Sequence, residues 1–183
     1  MPRATERIAR GPADRLVGGA FGYAGLMTTS TLKTEDAGPR AVSRSVQVGA
    51  PVAEIFALIA DPHRHPEIDG SGTVRAVDVK GPRRRSGGDK CTVGMTQYGR
   101  PYKITSRATA VQENRLVEWQ HPLGHRWRWE LAEVSPGTTK VTETFDYSTA
   151  KVPFMIELIG FHKKNAEGIE STLSALAARY DVR

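Results

Sequence analysis

The stretch between residues 73 and 148 alternates short strand-like segments with turn residues, and this pattern limits the possible folds more than any other feature of the chain. Apolar or β-branched residues alternate within the segments, and Gly, Pro, Asn or Asp residues separate them. The predicted strands cover about 73–80, 90–98, 102–112, 115–120, 125–134 and 139–148. Connections this short join antiparallel neighbours, because a parallel pair needs a crossover of about a dozen residues or more. We therefore predict an antiparallel meander.

One more strand and a helical excursion precede the meander, and a long helix follows it. Alternating valines predict a strand at 41–48, and Pro51 stands where a helix with an apolar face would begin. Residues 63–72 are predicted to form a short helix or a loop. From about 153 to 180, residues recurring every three or four positions predict one continuous helix. Its inward stripe includes Leu158, His162, Ile169, Leu173 and Leu176.

The element order predicts the α+β class, with a curved seven-stranded antiparallel sheet wrapped around a long C-terminal helix. A strongly twisted sheet curls. One helix, about 10 Å across, cannot fill the concave side of so wide a sheet. The remaining volume is either packed by large side chains or left as a pocket.

Composition limits the kind of protein and its compartment. The chain has 183 residues, of which 39% are hydrophobic and 25% are charged, as is typical of one globular domain in water. Its single cysteine, Cys91, rules out an intramolecular disulfide and a cysteine-rich zinc site, and it fits a reducing cytoplasm. No run reaches the roughly 18 apolar residues that a membrane-spanning helix needs.

Residues 1–40 are predicted to be a disordered or loosely docked N-terminal tail, with a polar linker at 28–40. Arginines up to Arg15 followed by the apolar stretch 16–27 imitate a secretory signal, but four glycines in that stretch argue against one. Two interpretations stay open for residues 1–26. They belong to the mature protein, or they precede a true start at Met27.

Basic residues are concentrated in two short runs. The net charge is +6, and Arg83-Arg84-Arg85 and Lys163-Lys164 carry part of the excess. We predict that the first run is a solvated turn and the second a solvated helix face. Nucleic-acid binding is not expected, because no aromatic residues are interleaved with the arginines.

Several motifs resemble those of one superfamily. They are the strand–Ala-Pro–helix stretch Val46–Phe56, the segment Asp61–Glu67, the hairpin tail Pro136–Thr142 and the closing helix. Together they resemble the START-like, or SRPBCC, superfamily, and within it the polyketide cyclase/dehydrase-like branch. The resemblance implies a helix-grip fold and a START-like ligand-binding domain over residues 41–183. Members bind lipids, sterols or polyketides, some are cyclases and many are carriers or sensors, so the fold alone does not decide the function.

Aromatic residues on the predicted strands are the clearest candidates for a ligand-binding wall. Trp127 and Trp129 share one strand face, because residues two apart point the same way, and we predict that both point to the concave side. A wall of indole and phenol rings would orient an apolar ligand, whereas the alternative is ordinary core packing. The predicted ligand-binding residues are Trp119, Trp127, Trp129, Tyr102, Met95, Phe145, Tyr147, Leu158, His162 and His65.

Three residues are candidates for acid–base chemistry: Glu143, His162 and Tyr102. If Val141 and Phe145 point inward, strand parity sends Glu143 inward too, and burial would raise the pKa of its carboxyl. That would suit a general acid or base, or an anchor for a ligand. The alternatives are that the strand faces the other way, or that Glu143 pairs with an arginine at the rim.

Histidines supply a second, weaker set of candidates. His65 and Asp69 could form a polar cluster at an entrance, or could simply stabilise their loop. His121 and His125 flank a Pro-Leu-Gly turn, but no third ligand lies near them in sequence, so no metal site is predicted.

The first functional hypothesis is binding of a hydrophobic small molecule, lipid or polyketide-like, in an internal cavity by a carrier or sensor. The alternative is an enzyme of the polyketide aromatase/cyclase type. Such an enzyme needs little more than a shaped cavity and one or two placed acid–base groups. No cofactor is predicted, and the sequence carries no prediction of oligomeric state.

Overall fold

A computed structural model gives the structure of the protein and describes residues 30–97 and 99–181. The strands are β1 (Lys33–Glu35), β2 (Ala41–Val48), β3 (Val74–Lys80), β4 (Lys90–Gln97), β5 (Arg100–Gln112), β6 (Leu116–Gln120), β7 (Arg126–Ser135) and β8 (Thr138–Asp146). The helices are α1 (Val52–Ala60), α2 (Pro153–Leu158) and α3 (Phe161–Asp181), and a 3-10 helix covers Pro62–Glu67. The predicted N-terminal tail lies outside the described residues as far as residue 29.

All eight strands form one antiparallel sheet in the order β1-β2-β8-β7-β6-β5-β4-β3. From β3 to β8 each strand pairs with the next along the chain, which confirms the predicted meander. The first predicted strand, β2, returns to pair with the last, β8.

The sheet has one strand more than the seven predicted. Its edge strand β1 lies in the segment that the sequence analysis interpreted as linker, and it pairs with β2. Side-chain contacts hold β1 in place, because the Glu35 carboxylate accepts a hydrogen bond from Ser45 Oγ (2.6 Å) and forms an ion pair with Lys140 (2.7 Å). The strand was missed because its three residues are all polar or charged and show no apolar alternation.

The prediction of one continuous C-terminal helix is wrong at residues 159 and 160, where a turn divides it into two helices. Gly160 has a φ of +69°, in the left-handed region that glycine adopts without strain, and it separates α2 from α3. Leu158 ends α2, and its side chain is 74% exposed instead of facing the sheet. The inward stripe therefore begins in α3.

The long helix α3 lies over only one part of the sheet. It packs against β2 and β8, and α1 covers one end of β6, β7 and β8. Beneath these helices the side chains are almost fully buried: Val46, Val48, Ile55, Leu58, Val141, Ile169, Leu173 and Leu176 are each at most 2% exposed.

The 68–73 loop, which follows the 3-10 helix, packs against α3 at Ser171 and Thr172. The backbone N–H of Gly70 donates to Thr172 Oγ1 (3.2 Å), and a β-carbon at Gly70 would lie 2.2 Å from the carbonyl carbon of Ser171. Only glycine allows this approach between the loop and the helix backbone. The loop thus closes a space between α3 and the strands that α3 does not cover.

Candidate functional site

A cavity of about 400 Å³ lies between the concave face of the sheet, the 68–73 loop and α3. Strands β4 to β8 and helix α3 supply most of its wall, and the loop and nearby turns supply the rest. Exposed lining residues, among them Ser71, Tyr102 and Glu167, place its mouth between the loop, α3 and β5. A volume of this size lies in the range of small-molecule sites in proteins.

Three indoles form one wall of the cavity. Trp119 on β6 stands directly opposite Trp127 on β7, and Trp129 follows two residues along β7. The prediction that Trp127 and Trp129 point to the concave side is confirmed. Because these are the three tryptophans of the whole sequence, every indole of the protein faces this space.

Strands β4 and β5 form the wall nearer the mouth. Met95 pairs with Tyr102 and Val93 pairs with Ile104 across the two strands, and all four side chains line the cavity. Tyr102 is 37% exposed, and partial burial raises the pKa of its phenol, which remains neutral. This wall is apolar, with one hydroxyl at the rim.

Glu143 projects into the cavity from β8 as strand parity predicts, and it is 5% exposed. Its Oε2 is buried without a hydrogen-bond partner. Arg44, directly across on β2, is bound to Glu170 instead (2.8 Å), so the predicted alternative of an arginine pair is not realised. Burial, and secondly the negative charge of Asp69, raise the pKa of the Glu143 carboxyl well above its ordinary value and favour the neutral acid.

Three more buried polar atoms on the cavity wall lack partners: Asn165 Nδ2 on α3, Nδ1 of His125 and Nε of Arg85. The His125 ring stacks on His121, with centroids 4.1 Å apart. Burial, and then the neighbouring His121, lower the pKa of His125 to about 4, so the ring is neutral at pH 7. No His, Cys, Asp or Glu side chain in residues 30–97 and 99–181 joins the two histidines to make a group of three metal ligands.

His65 and Asp69 both line the cavity, His65 from the 3-10 helix and Asp69 from the 68–73 loop. The Nε2–H of His65 donates to the carbonyl of Ile59 (2.8 Å), which leaves Nδ1 as the unprotonated nitrogen. Burial, and then the charge of Arg85, lower the pKa of His65 to about 4. Asp69 accepts bonds from the backbone N–H groups of Ser71 (3.0 Å) and Val74 (2.7 Å), so it shapes the loop.

The prediction that all three arginines of the first basic run are solvated is wrong for Arg85, which lines the cavity. Arg83 and Arg84 are solvated as predicted, with side chains 77% and 72% exposed. The third arginine of the run is only 4% exposed and lies on the wall, its guanidinium carbon 4.6 Å from the centroid of the Trp119 ring. Nothing in the sequence separates the three arginines. Arg85 is drawn inward because its backbone N–H donates to the carbonyl of Ala60 (3.2 Å).

The structure divides the predicted ligand-binding residues into two groups. Six line the cavity: His65, Met95, Tyr102, Trp119, Trp127 and Trp129. Phe145 and Tyr147 are buried behind the wall, where Phe145 packs against Trp127 with centroids 5.0 Å apart. His162 lies off the wall and bonds the carbonyl of Ile156 (3.3 Å), and Leu158 faces solvent. The placement of Leu158 on the inner stripe was wrong because the helix breaks after it.

Comparison with known proteins agrees with this architecture. Residues 39–181 match the family described as polyketide cyclase/dehydrase and lipid transport. The chain belongs to this family. The match confirms the resemblance found in the sequence, and a ligand-binding fold is a property of the family.

A close relative and two solved structures extend the comparison. The uncharacterised protein Rv0088 of Mycobacterium tuberculosis is 54% identical over 154 residues, which are 82% of this chain and 68% of the relative. A START superfamily protein from Mycobacterium smegmatis superposes with a TM-score of 0.60 at 16% identity, over 78% of this chain and 98% of the other.

The Polyketide_cyc-like protein Cgl2372 from Corynebacterium glutamicum superposes with a TM-score of 0.56 at 19% identity, over 80% and 94% of the two chains. These likenesses confirm the helix-grip α+β fold, with the extra strand β1. No helix among the described residues is long and apolar enough to cross a membrane.

Proposed function

We propose that the protein binds an apolar small molecule, lipid or polyketide-like, inside the cavity and acts as its carrier or sensor. The observation that carries the proposal is the cavity of about 400 Å³ whose wall contains all three tryptophans. Large aromatic surfaces that face an unfilled space favour an apolar ligand, because burying them against it removes them from water.

The first test is native mass spectrometry of the purified protein, followed by solvent extraction. We expect a bound apolar species of defined mass. A ligand identified in this way should raise the melting temperature as its concentration rises, because it binds only the folded state. A protein that carries no ligand and is stabilised by no member of a lipid and polyketide panel would contradict the proposal.

A pair of variants on β5 makes the test specific to the cavity. Ile104→Trp places an indole inside the cavity and should abolish ligand capture. Thr105→Trp, one residue along the strand, places the same side chain on the exposed opposite face and should leave capture unchanged. Equal capture by the two variants would show that the ligand binds elsewhere.

One observation favours a second function, an enzyme of the aromatase/cyclase type. Glu143 presents a buried, unpartnered carboxyl whose pKa is raised. A neutral acid on an apolar wall can donate a hydrogen bond to a carbonyl oxygen that gains negative charge as a carbon–carbon bond forms. Glu143→Gln separates the two functions. An enzyme would lose turnover of a poly-β-keto thioester while retaining affinity, whereas a carrier would show no turnover before or after the change.

A further inference from the structure

We propose that Arg85 is the binding site for a carboxylate, and that the ligand of this cavity is therefore an apolar carboxylic acid. This inference rests on the proposed function, because it concerns the chemistry of the same cavity. Three features of Arg85 support it. The side chain is buried without an ion-pair partner in the part of the chain that the structure describes, the nearby carboxylates already bind other groups, and its stacking on Trp119 leaves N–H donors free.

Arg85 is a buried cation without an ion-pair partner among the described residues. It is 4% exposed and lines the cavity, and its Nε–H has no hydrogen-bond partner. The thiol of Cys91 interacts with it, but burial raises the pKa of that thiol and keeps it neutral. A buried charge is unfavourable unless an opposite charge accompanies it.

The carboxylates that attract Arg85 from a distance are committed to other groups. Asp61 accepts a hydrogen bond from the backbone N–H of His63 (2.9 Å) and forms an ion pair with Arg83 (3.5 Å). Asp89 accepts the backbone N–H of Ser86 (2.7 Å). The site therefore lacks an anion that a ligand could supply.

The neighbouring rings position the guanidinium and leave donors free. Arg85 lies over the face of Trp119, and His65 lies against the same indole with centroids 5.4 Å apart. A guanidinium that stacks on an aromatic ring uses its flat face for the cation–π contact. The N–H groups at its edge then remain available to donate hydrogen bonds to a carboxylate. His65 is neutral at pH 7, so Arg85 is the cation of this cluster.

The far end of the cavity indicates how the rest of such a ligand would lie. Glu143 is two strands away from Trp119 and two residues along, so their Cα atoms are separated by about 12 Å. There the neutral Glu143 carboxyl and Asn165 Nδ2 offer donors for an uncharged oxygen. An apolar acid with its carboxylate on Arg85 and a carbonyl or hydroxyl at the other end matches both polar groups.

The experiment compares acids with the matching alcohols. The probes are 1-pyrenebutyrate and 1-pyrenebutanol, as a flat pair, and dodecanoate and dodecan-1-ol, as a flexible pair. Pyrene binding is followed by quenching of the tryptophan fluorescence, which reports on the cavity because all three tryptophans line it. Calorimetry measures the other pair. The variants are Arg85→Met and, as the matched control, Arg84→Met, which changes the exposed arginine next to it.

We expect the wild type to bind at least one acid about tenfold to a hundredfold more tightly than its alcohol, since hydrogen bonds to charged groups are the stronger ones. Arg85→Met should abolish that preference and leave the alcohol affinity within about threefold. Arg84→Met should retain the preference. The melting temperature of Arg85→Met should stay equal or rise, because an apolar side chain of similar length removes an unpaired buried charge.

The other outcomes count against the inference in distinguishable ways. Equal affinity of the wild type for acid and alcohol overturns the carboxylate site and leaves the proposed function standing. A fall in melting temperature for Arg85→Met, with equal loss of both probes, would make Arg85 a structural residue. Failure of all four probes to bind would count against the proposed function itself.

Discussion

The two halves of the concave face differ in what covers them. Over β2 and β8, α3 fills the space with Ile169, Leu173 and Leu176, and each of these residues is at most 1% exposed. Over β4 and β5 no described helix packs on the sheet in this way, and α1 reaches only one end of β6 and β7, so large side chains surround the cavity. One half therefore contributes mainly packing energy. The other half keeps apolar surface and unpartnered polar atoms in place, which stability alone does not explain.

The largest effect expected from this comparison is in the filled half. Leu173→Ala should lower the free energy of unfolding by about 3 kcal/mol, because it deletes a fully buried side chain and leaves a void. Chemical denaturation measures the change. Ser174→Ala, on the exposed side of the same helix, should change the stability by less than about 0.5 kcal/mol. A small loss for Leu173→Ala would mean that α3 does not pack on the sheet as described.

The next largest effect on stability is expected at the 68–73 loop, which lies between the two halves. Gly70→Ala should cost about 2 kcal/mol, since its β-carbon would meet the backbone of Ser171 at 2.2 Å and force the loop off α3. Gly87→Ala is the control, because nothing lies within 4 Å of a β-carbon there. Melting curves of the two variants compare them. If both behave alike, the loop does not hold its place through this contact.

A pH-dependent effect is expected at Glu143, which projects from β8 into the cavity. Its folded-state pKa is raised above the ordinary 4.5, so the folded protein binds more protons than the unfolded chain between these two values. Its contribution to stability is therefore complete below pH 4.5 and is lost as the pH rises toward the folded-state pKa, by at most about 1.4 kcal/mol per pH unit.

Glu143→Gln should remove this slope. Relative to the wild type, the variant should become progressively more stable in denaturation experiments as the pH rises from 4.5 toward the folded-state pKa of Glu143. A difference that stays constant over this range would show that the carboxyl finds a partner and is not perturbed.

The smallest stability effect is expected for a side chain that faces the cavity. Met95→Ala enlarges a space that is already open, so the free energy of unfolding should fall by less than about 1 kcal/mol. Its affinity for a cavity ligand should fall more clearly. A stability loss equal to that of Leu173→Ala would erase the distinction between the two halves.

Local patterns were enough to predict most of the fold. The alternation in Trp127, Trp129 and Leu131 indicated the inner face of β7, and the same argument sent Glu143 inward. The strand at residues 33–35 was not predicted, because a polar edge strand shows no alternation of apolar and polar residues. Leu158 was misplaced because periodicity does not show that Gly160 turns left-handed.

The candidate site was less predictable, because its members come from distant parts of the chain. Six of the predicted residues line the cavity, but periodicity could not separate them from Phe145 and Tyr147, which share the same inward faces. The burial of Arg85 could not be predicted, since the three consecutive arginines are identical in sequence and differ only in the path of the backbone.

The amino-acid sequence by itself determined seven of the eight strands, the antiparallel order of the meander and the inward direction of the tryptophans, because these depend on period-two alternation and short connections. Tertiary structure alone decided which part of the sheet α3 covers, and hence which inward residues border a cavity. It also decided that Arg85 is buried against Trp119 while Arg83 and Arg84 remain in water. The physical reason is that burial depends on what packs opposite a residue, and that neighbour is distant in sequence.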